Sequence, residues 1–177
     1  MNKNLPQNQI DTLLKYFSNK QLNEAENYGV RLSEKFPEDP FIWKALGIIF
    51  KENGKISESI SANKKSLKLN PNDPEVHNNL GFVYQEEKSY DEAKLWYDEA
   101  IRLQPNYIVA HHNLGLIYHL QEKYEKAEIS YKNAIKIKVN YLPVYNNLGN
   151  VLIKQGKIIE AKDCYNQAIK FKKENPD

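Results

Sequence analysis

The side chains best equipped for chemistry in this 177-residue chain are four histidines, one cysteine and a recurring set of bases. His112 and His119 stand seven residues apart, on one face of a helix but ~10 Å apart along it at ~1.5 Å per residue. Two zinc ligands on one helix usually stand at i and i+4, so this pair alone makes no site. His77 and His111 hold the same place in successive stretches as Trp43 and Tyr145, and read as amphipathic rings packed between helices. Cys164 falls in mid-helix, where it behaves as a small hydrophobe; alone, it forms neither an intramolecular disulfide nor a multi-cysteine zinc cage. Lys68, Arg102, Lys136 and Lys170 recur every 34 residues and could line up as a stripe for nucleic acid. Glu58, Glu92 and Glu160 mark the opposite ends of the same helices, however, and complementarity with the helix dipole explains both sets. Neither a phosphate-cradling glycine loop, nor His-Glu-x-x-His, nor Gly-x-Ser-x-Gly is present. The expectation is a chain with no catalytic, metal or cofactor-binding residues, and not an enzyme.

Charge and composition narrow the partners. Lys and Arg total 25 against 23 acids, a net charge of +2, which gives no field suited to nucleic acid or an anionic membrane. Hydrophobic residues make up 41%, too many for a disordered chain. The opening MNKNLPQNQID lacks the apolar core of a signal peptide, and no apolar run approaches the ~20 residues of a membrane helix. A cytoplasmic protein that binds neither nucleic acid nor membrane is expected.

The elements that must position any functional surface come from an internal repeat. Asn-Leu-Gly occurs at 79–81, 113–115 and 147–149, and Gly47, Gly81, Gly115 and Gly149 are each 34 residues apart. Small residues follow at Ser59, Ala93, Ala127 and Ala161, then at Ser66, Ala100, Ala134 and Ala168. Leu80, Val83 and Tyr84 keep helical spacing, as do Ala93, Tyr97, Ala100 and Ile101. Between them Glu86-Glu87-Lys88-Ser89 is a polar break, with Gly54 and Gly156 at the same turn in other stretches. Each repeat is therefore a helix of roughly 13 residues, a short turn and a second such helix. Pro74 and Pro143 stand at helix starts, where a missing N–H costs nothing. The recurring glycines and alanines read as packing residues between paired helices.

These residues resemble the tetratricopeptide repeat family, and Trp43-Lys44-Ala45-Leu46-Gly47-Ile48-Ile49-Phe50 carries its signature opening. The array is similar to those of bacterial proteins with a downstream transferase or oxygenase domain, and to that of O-linked N-acetylglucosamine transferase. The resemblance implies an all-α, right-handed superhelical solenoid of about five antiparallel helix pairs. Full units cover 40–73, 74–107, 108–141 and 142–175. A degenerate unit at 6–39 has Leu13 where glycine is expected and Gly29 where an aromatic is expected, and a tail at 1–5 precedes it. The tail and the last few residues are expected to fray.

In this family the first helix of each pair lines a concave groove. The resemblance therefore places Lys44, Ile48 and Lys51, then Asn78, Asn79, Phe82 and Gln85, in the groove. The later units add His112, Asn113, Leu116 and His119, then Asn146, Asn147, Asn150 and Ile153. This surface is amide-rich, with an apolar strip at Ile48, Phe82 and Leu116, and suits a polypeptide better than a phosphate. Asn79, Asn113 and Asn147 are expected to form a ladder that holds a peptide backbone, since an amide offers both donors and acceptors. The family's carboxylate clamp does not fit. Lys44 and Asn79 match it, but Ile48, Val109 and Asn113 stand where asparagine, lysine and arginine are required.

The leading expectation is a non-catalytic scaffold that binds a peptide or partner segment. The alternatives are the substrate-recruiting array of a glycosyltransferase, sulfotransferase or oxygenase, and a self-assembling structural unit. The chain stops after a second helix, so the enzyme alternative concerns recruitment and not transfer chemistry. Self-association is expected through the last helix, whose Ile158, Ile159, Cys164, Tyr165, Ile169 and Phe171 exceed one buried stripe.

Overall fold

The computed structural model describes residues 5–174, and its regular structure among them is wholly α-helical. Ten helices follow in order: α1 (Gln7–Ser18), α2 (Leu22–Lys35), α3 (Pro40–Glu52), α4 (Ile56–Leu69), α5 (Pro74–Glu86), α6 (Tyr90–Leu103), α7 (Ile108–Leu120), α8 (Tyr124–Ile137), α9 (Leu142–Lys154) and α10 (Ile158–Glu174). They make five hairpins, each a first helix, a short turn and a second helix. The chain divides into two compact units, one up to Val83 and one from Tyr84. Of the expected tail at 1–5, only Leu5 is described, and it packs against the first core cluster. Residues 1–4 and 175–177 lie outside the described residues.

Local signals start and stop the helices. Asp39 caps α3 by accepting the Phe41 N–H at 2.9 Å, with Pro40 in the first turn. Asp73 does the same for α5, accepting the N–H groups of Glu75 and Val76 at 3.0 and 3.3 Å. All five second helices carry an acid in the first turn and a base in the last. Lys68, Arg102 and Lys136 are among those bases. Lys170 is not, because α10 runs on to Glu174 and leaves Lys172 and Lys173 in the last turn.

The five intra-hairpin turns share one geometry. Lys20, Gly54, Lys88, Glu122 and Gly156 all have positive φ, between 57° and 76°. In each case the next residue's N–H bonds back to the carbonyl five residues earlier, as Lys55 does to Phe50 and Lys123 to Tyr118, both at 2.8 Å. Only two of these places hold the glycine that a left-handed residue favours.

Each unit has its own core. In the first, Leu13, Leu32, Phe36, Ile42, Leu46 and Ile49 close together among α1, α2 and α3. In the second, Tyr131, Val144, Leu148, Val151 and Leu152 fill the space among α8, α9 and α10. Where paired helices cross, a small residue faces a large one. A Cβ on Gly115 would stand 2.5 Å from the Tyr131 ring, and one on Gly149 would stand 2.6 Å from Tyr165. The second hairpin uses a polar version: a Cβ on Gly47 would run into the buried Asn63 amide, and Ser59 Oγ donates to the Gly47 carbonyl at 2.6 Å. The degenerate first hairpin exchanges the sizes. Leu13 stands in the glycine's place and is 1% exposed, while Gly29 stands in the ring's place. A Cβ on Gly29 would stand 2.9 Å from Leu46 and 3.6 Å from Leu13, so Leu13 occupies space that a ring fills elsewhere.

A further slot joins successive hairpins. Trp43 Nε1 donates to the Pro37 carbonyl at 2.7 Å, and Tyr145 Oη donates to that of Val139 at 2.5 Å. His77 and His111 bond through Nε2 to the carbonyls of Pro71 and Pro105, both at 2.9 Å. A carbonyl only accepts, so both histidines carry the proton on Nε2. The polar tip of the ring ties down the linker carbonyl six residues back whether or not the linker residue is proline. In each unit a carboxylate also joins two hairpins: Glu26 pairs with Lys55 in the first, and Glu128 with Lys157 at 2.7 Å in the second.

Two tests follow from this packing. Tyr131 is fully buried and cannot yield, whereas Tyr165 is half-buried on the last hairpin. Gly115→Ala should therefore cost about 2 kcal/mol or more of stability, and Gly149→Ala clearly less, as read by chemical denaturation. Equal losses would count against the crossing as the tight point. The second test concerns acid. Burial alone would raise the Glu128 carboxyl, but hydrogen bonds from Lys132 and Lys157 outweigh it and hold the group at about 2, below its ordinary 4.5. Its contribution is thus complete above about pH 4.5 and is lost as the pH falls toward 2. The melting temperature of Glu128→Gln should fall less steeply across that window than that of the parent chain; parallel curves would refute the assignment.

Candidate functional site

In each unit the first helices of neighbouring hairpins lie side by side and carry the residues expected in the groove. The first unit presents a pocket of about 110 Å³ between α1 and α3, lined by Leu13, Leu14, Phe17, Phe41, Lys44, Ala45, Ile48 and Ile49. Lys44 contributes its aliphatic stem. Its Nζ lies 3.1 Å from Asp73 Oδ2 and 2.8 Å from Glu75 Oε2, so its charge is engaged within the chain. Lys51 is also taken up, 2.6 Å from Glu52 and 4.5 Å from the centroid of the partly exposed Phe82 ring. Phe17 and Leu14 come from the degenerate hairpin, which sequence reasoning left out of the groove. The signal available was a second apolar edge on α1, where Leu14 and Phe17 stand three apart beside the buried Leu13.

The amides are placed less simply. Asn79 is half-buried, Asn78 and Asn113 are 7% and 9% exposed, and Asn146 and Asn150 are open. Asn147 Nδ2 stands 2.9 Å from His112 Nε2 on the neighbouring first helix. An amide nitrogen only donates, so His112 accepts as a neutral ring. Burial pushes the His112 imidazole below its ordinary value, in keeping with that state, and the rings of Tyr131 and Tyr141 flank it at 5.9 and 5.8 Å. His112 and Asn147, three and two before their glycines, thus join α7 to α9. Asn78 and Asn113 are buried, which corrects the expectation that both line an open groove. Only Asn79 and Asn147 of the expected ladder keep partial exposure, and the Asn147 amide is already engaged.

Two other groove amides are fixed from below. Gln85 Oε1 accepts the Tyr97 hydroxyl at 3.0 Å, and Asn150 Oδ1 accepts that of Tyr165 at 2.8 Å. Tyr131 holds the same place in the hairpin between them, but Leu116 and His119 replace the amides, and its buried hydroxyl has no hydrogen-bond partner among the described residues. Leu116 and His119 are both half-buried, and burial with the Lys154 charge lowers the His119 imidazole.

Among the described residues no group of three His, Cys, Asp or Glu side chains stands close enough to hold a metal ion. Burial pushes the Cys164 thiol up, away from the thiolate that nucleophilic chemistry needs. No helix among the described residues is long and apolar enough to cross a membrane. On α10, Ile158, Ile159 and Ile169 are 58%, 80% and 54% exposed. Phe171 instead packs against Tyr145 with ring centroids 5.4 Å apart, so the open apolar edge is narrower than the sequence suggested.

Three family models match the chain, described as tetratricopeptide repeat over residues 73–138 and 143–175 and as TPR repeat over 47–88. No curated protein sequence matches significantly. Among solved structures, MamA from Desulfovibrio magneticus RS-1 (residue 41 to the end) superposes with a TM-score of 0.83 at 19% identity, covering 96% of each chain. Pseudomonas aeruginosa pilF gives 0.85 at 22%, covering 92% of this chain and 74% of its own. TTC0263, a thermophilic TPR protein in Thermus thermophilus, gives 0.75 at 20%, covering 93% and 90%. At such identities the likeness bears on the fold. Together with the 34-residue period and the glycine crossings, the matched models establish that the chain belongs to the tetratricopeptide repeat family, a family of protein–protein interaction scaffolds.

Proposed function

We propose that this chain is a non-catalytic scaffold that holds an extended segment of a partner protein on the first-helix faces of its units. The observation that carries the reading is the apolar pocket between α1 and α3, which has room for one large apolar side chain. In the second unit the support is polar: Gln85 and Asn150 are held in place by tyrosine hydroxyls, so their ordering is settled before a partner arrives. Phe82, Leu116, His119 and Asn146 offer further partly or fully exposed contacts on the same faces. The test is a benzophenone side chain introduced at Leu14, on the pocket, or at Leu95, which is 66% exposed on α6. Peptides selected from a random phage-displayed library on the intact chain should crosslink from position 14 and not from position 95. The reverse pattern would place binding elsewhere.

A second reading, self-association of the chain through α10, is favoured by the three exposed isoleucines. Ile159 holds a place taken by Ser57, Asp91 and Glu125 in the other regular hairpins. The α8 counterparts of Ile158 and Ile169 are Tyr124 and Ile135, which pack against a cluster completed by α9 residues. A second copy would cover the corresponding edge of α10. Sedimentation should then show concentration-dependent mass that Ile158→Lys with Ile169→Lys abolishes; a monomer at all concentrations would exclude it.

A further inference from the structure

The pocket between α1 and α3 is apolar inside, but its rim at Lys44 is charged. There one ammonium faces two carboxylates, Asp73 at 3.1 Å and Glu75 at 2.8 Å, which leaves one net negative charge beside the opening. Burial would lower the Lys44 ammonium, yet the hydrogen bonds it donates to the two carboxylates, with their charge, outweigh burial and raise the group. The two acids differ in freedom. The Asp73 side chain is 16% exposed and also caps α5, whereas that of Glu75 is 60% exposed. Lys51, on the same helix, is offset by Glu52.

Resting on the reading that a partner segment lies on this face, we infer that the pocket takes a large apolar side chain flanked by lysine or arginine, whose cation meets Glu75. In an extended segment, side chains two residues apart point the same way, ~6.6 Å from one another. One such side chain can then fill the pocket while the next lies on the Lys44 side of its rim, where Glu75 stands 2.8 Å from the ammonium. A glutamate or aspartate at the same flank would face the excess negative charge and be disfavoured. This charge preference is the opposite of a carboxylate-binding groove, and it follows from Lys44 being consumed within the chain.

Three fluorescein-labelled peptides in one Gly/Ser frame test the inference by fluorescence anisotropy with the intact chain. They carry leucine with a lysine two residues to either side, leucine with glutamates there, or alanine with the lysines. The lysine–leucine peptide should bind about fivefold more tightly than the glutamate–leucine peptide, as expected for an exposed charge pair, and added salt should shrink the gap. Glu75→Lys, at an exposed position, should remove or reverse the preference while circular dichroism stays unchanged. Ala45→Phe, which fills the pocket, should abolish binding of both leucine peptides. Equal affinity for the two leucine peptides would overturn the charge preference and leave the pocket standing. Equal binding of the alanine–lysine peptide would overturn the apolar anchor. If none of the three bound, the reading of this face as a partner site would fall with the inference.

Discussion

Everything in this chain depends on how closely the two helices of a hairpin approach. Backbones that near leave no space for a Cβ on one side, so a glycine on the first helix must face a bulky group on the second. Gly115 under Tyr131 and Gly149 under Tyr165 meet this demand with rings, and Gly47 over Asn63 meets it with a buried amide. The first hairpin meets it in reverse, with Leu13 large and Gly29 small. What the fold conserves is the summed volume at the crossing, as close-packed interiors require. The exchange also explains why an irregular hairpin still supplies one wall of the pocket, through Leu13, Leu14 and Phe17.

Rings on the second helices also reach the first-helix faces. Tyr165 passes over Gly149 and ends on Asn150, so the residue that sets helix spacing there also orients a surface amide, as Tyr97 orients Gln85. The linker slot works similarly: Trp43, His77, His111 and Tyr145 differ in chemistry, yet each offers a polar tip to a carbonyl six residues back. A slot that accepts indole, imidazole or phenol selects for reach and a donor hydrogen.

The period in Asn-Leu-Gly made the hairpins legible, because helix spacing and the glycine crossings both repeat every 34 residues. The candidate site was legible in part. Lys44 and Ile48 line a pocket on α3, but that pocket is completed by Phe17 and Leu14 from the hairpin where the pattern breaks. The Asn79, Asn113 and Asn147 row looked like a ladder because a period shows which positions correspond and not which are already satisfied. Asn147 is spent on His112, on a helix about thirty-five residues earlier, and Asn113 is buried. Lys44 misled in the same way, since the acids that engage it stand about thirty residues on. Phe171 was read as exposed because its partner, Tyr145, lies on the neighbouring helix of the hairpin.

The left-handed residue at every turn ranks the hairpins by the ease with which each closes. A side chain held at positive φ costs about 1 kcal/mol more than glycine there. Lys20, Lys88 and Glu122 bear that cost, while Gly54 and Gly156 escape it. The α3–α4 and α9–α10 pairs therefore fold back on themselves with the least backbone resistance, and one of them lies in each compact unit. Each unit thus contains a hairpin that can form with little strain and serve as a template for its neighbours.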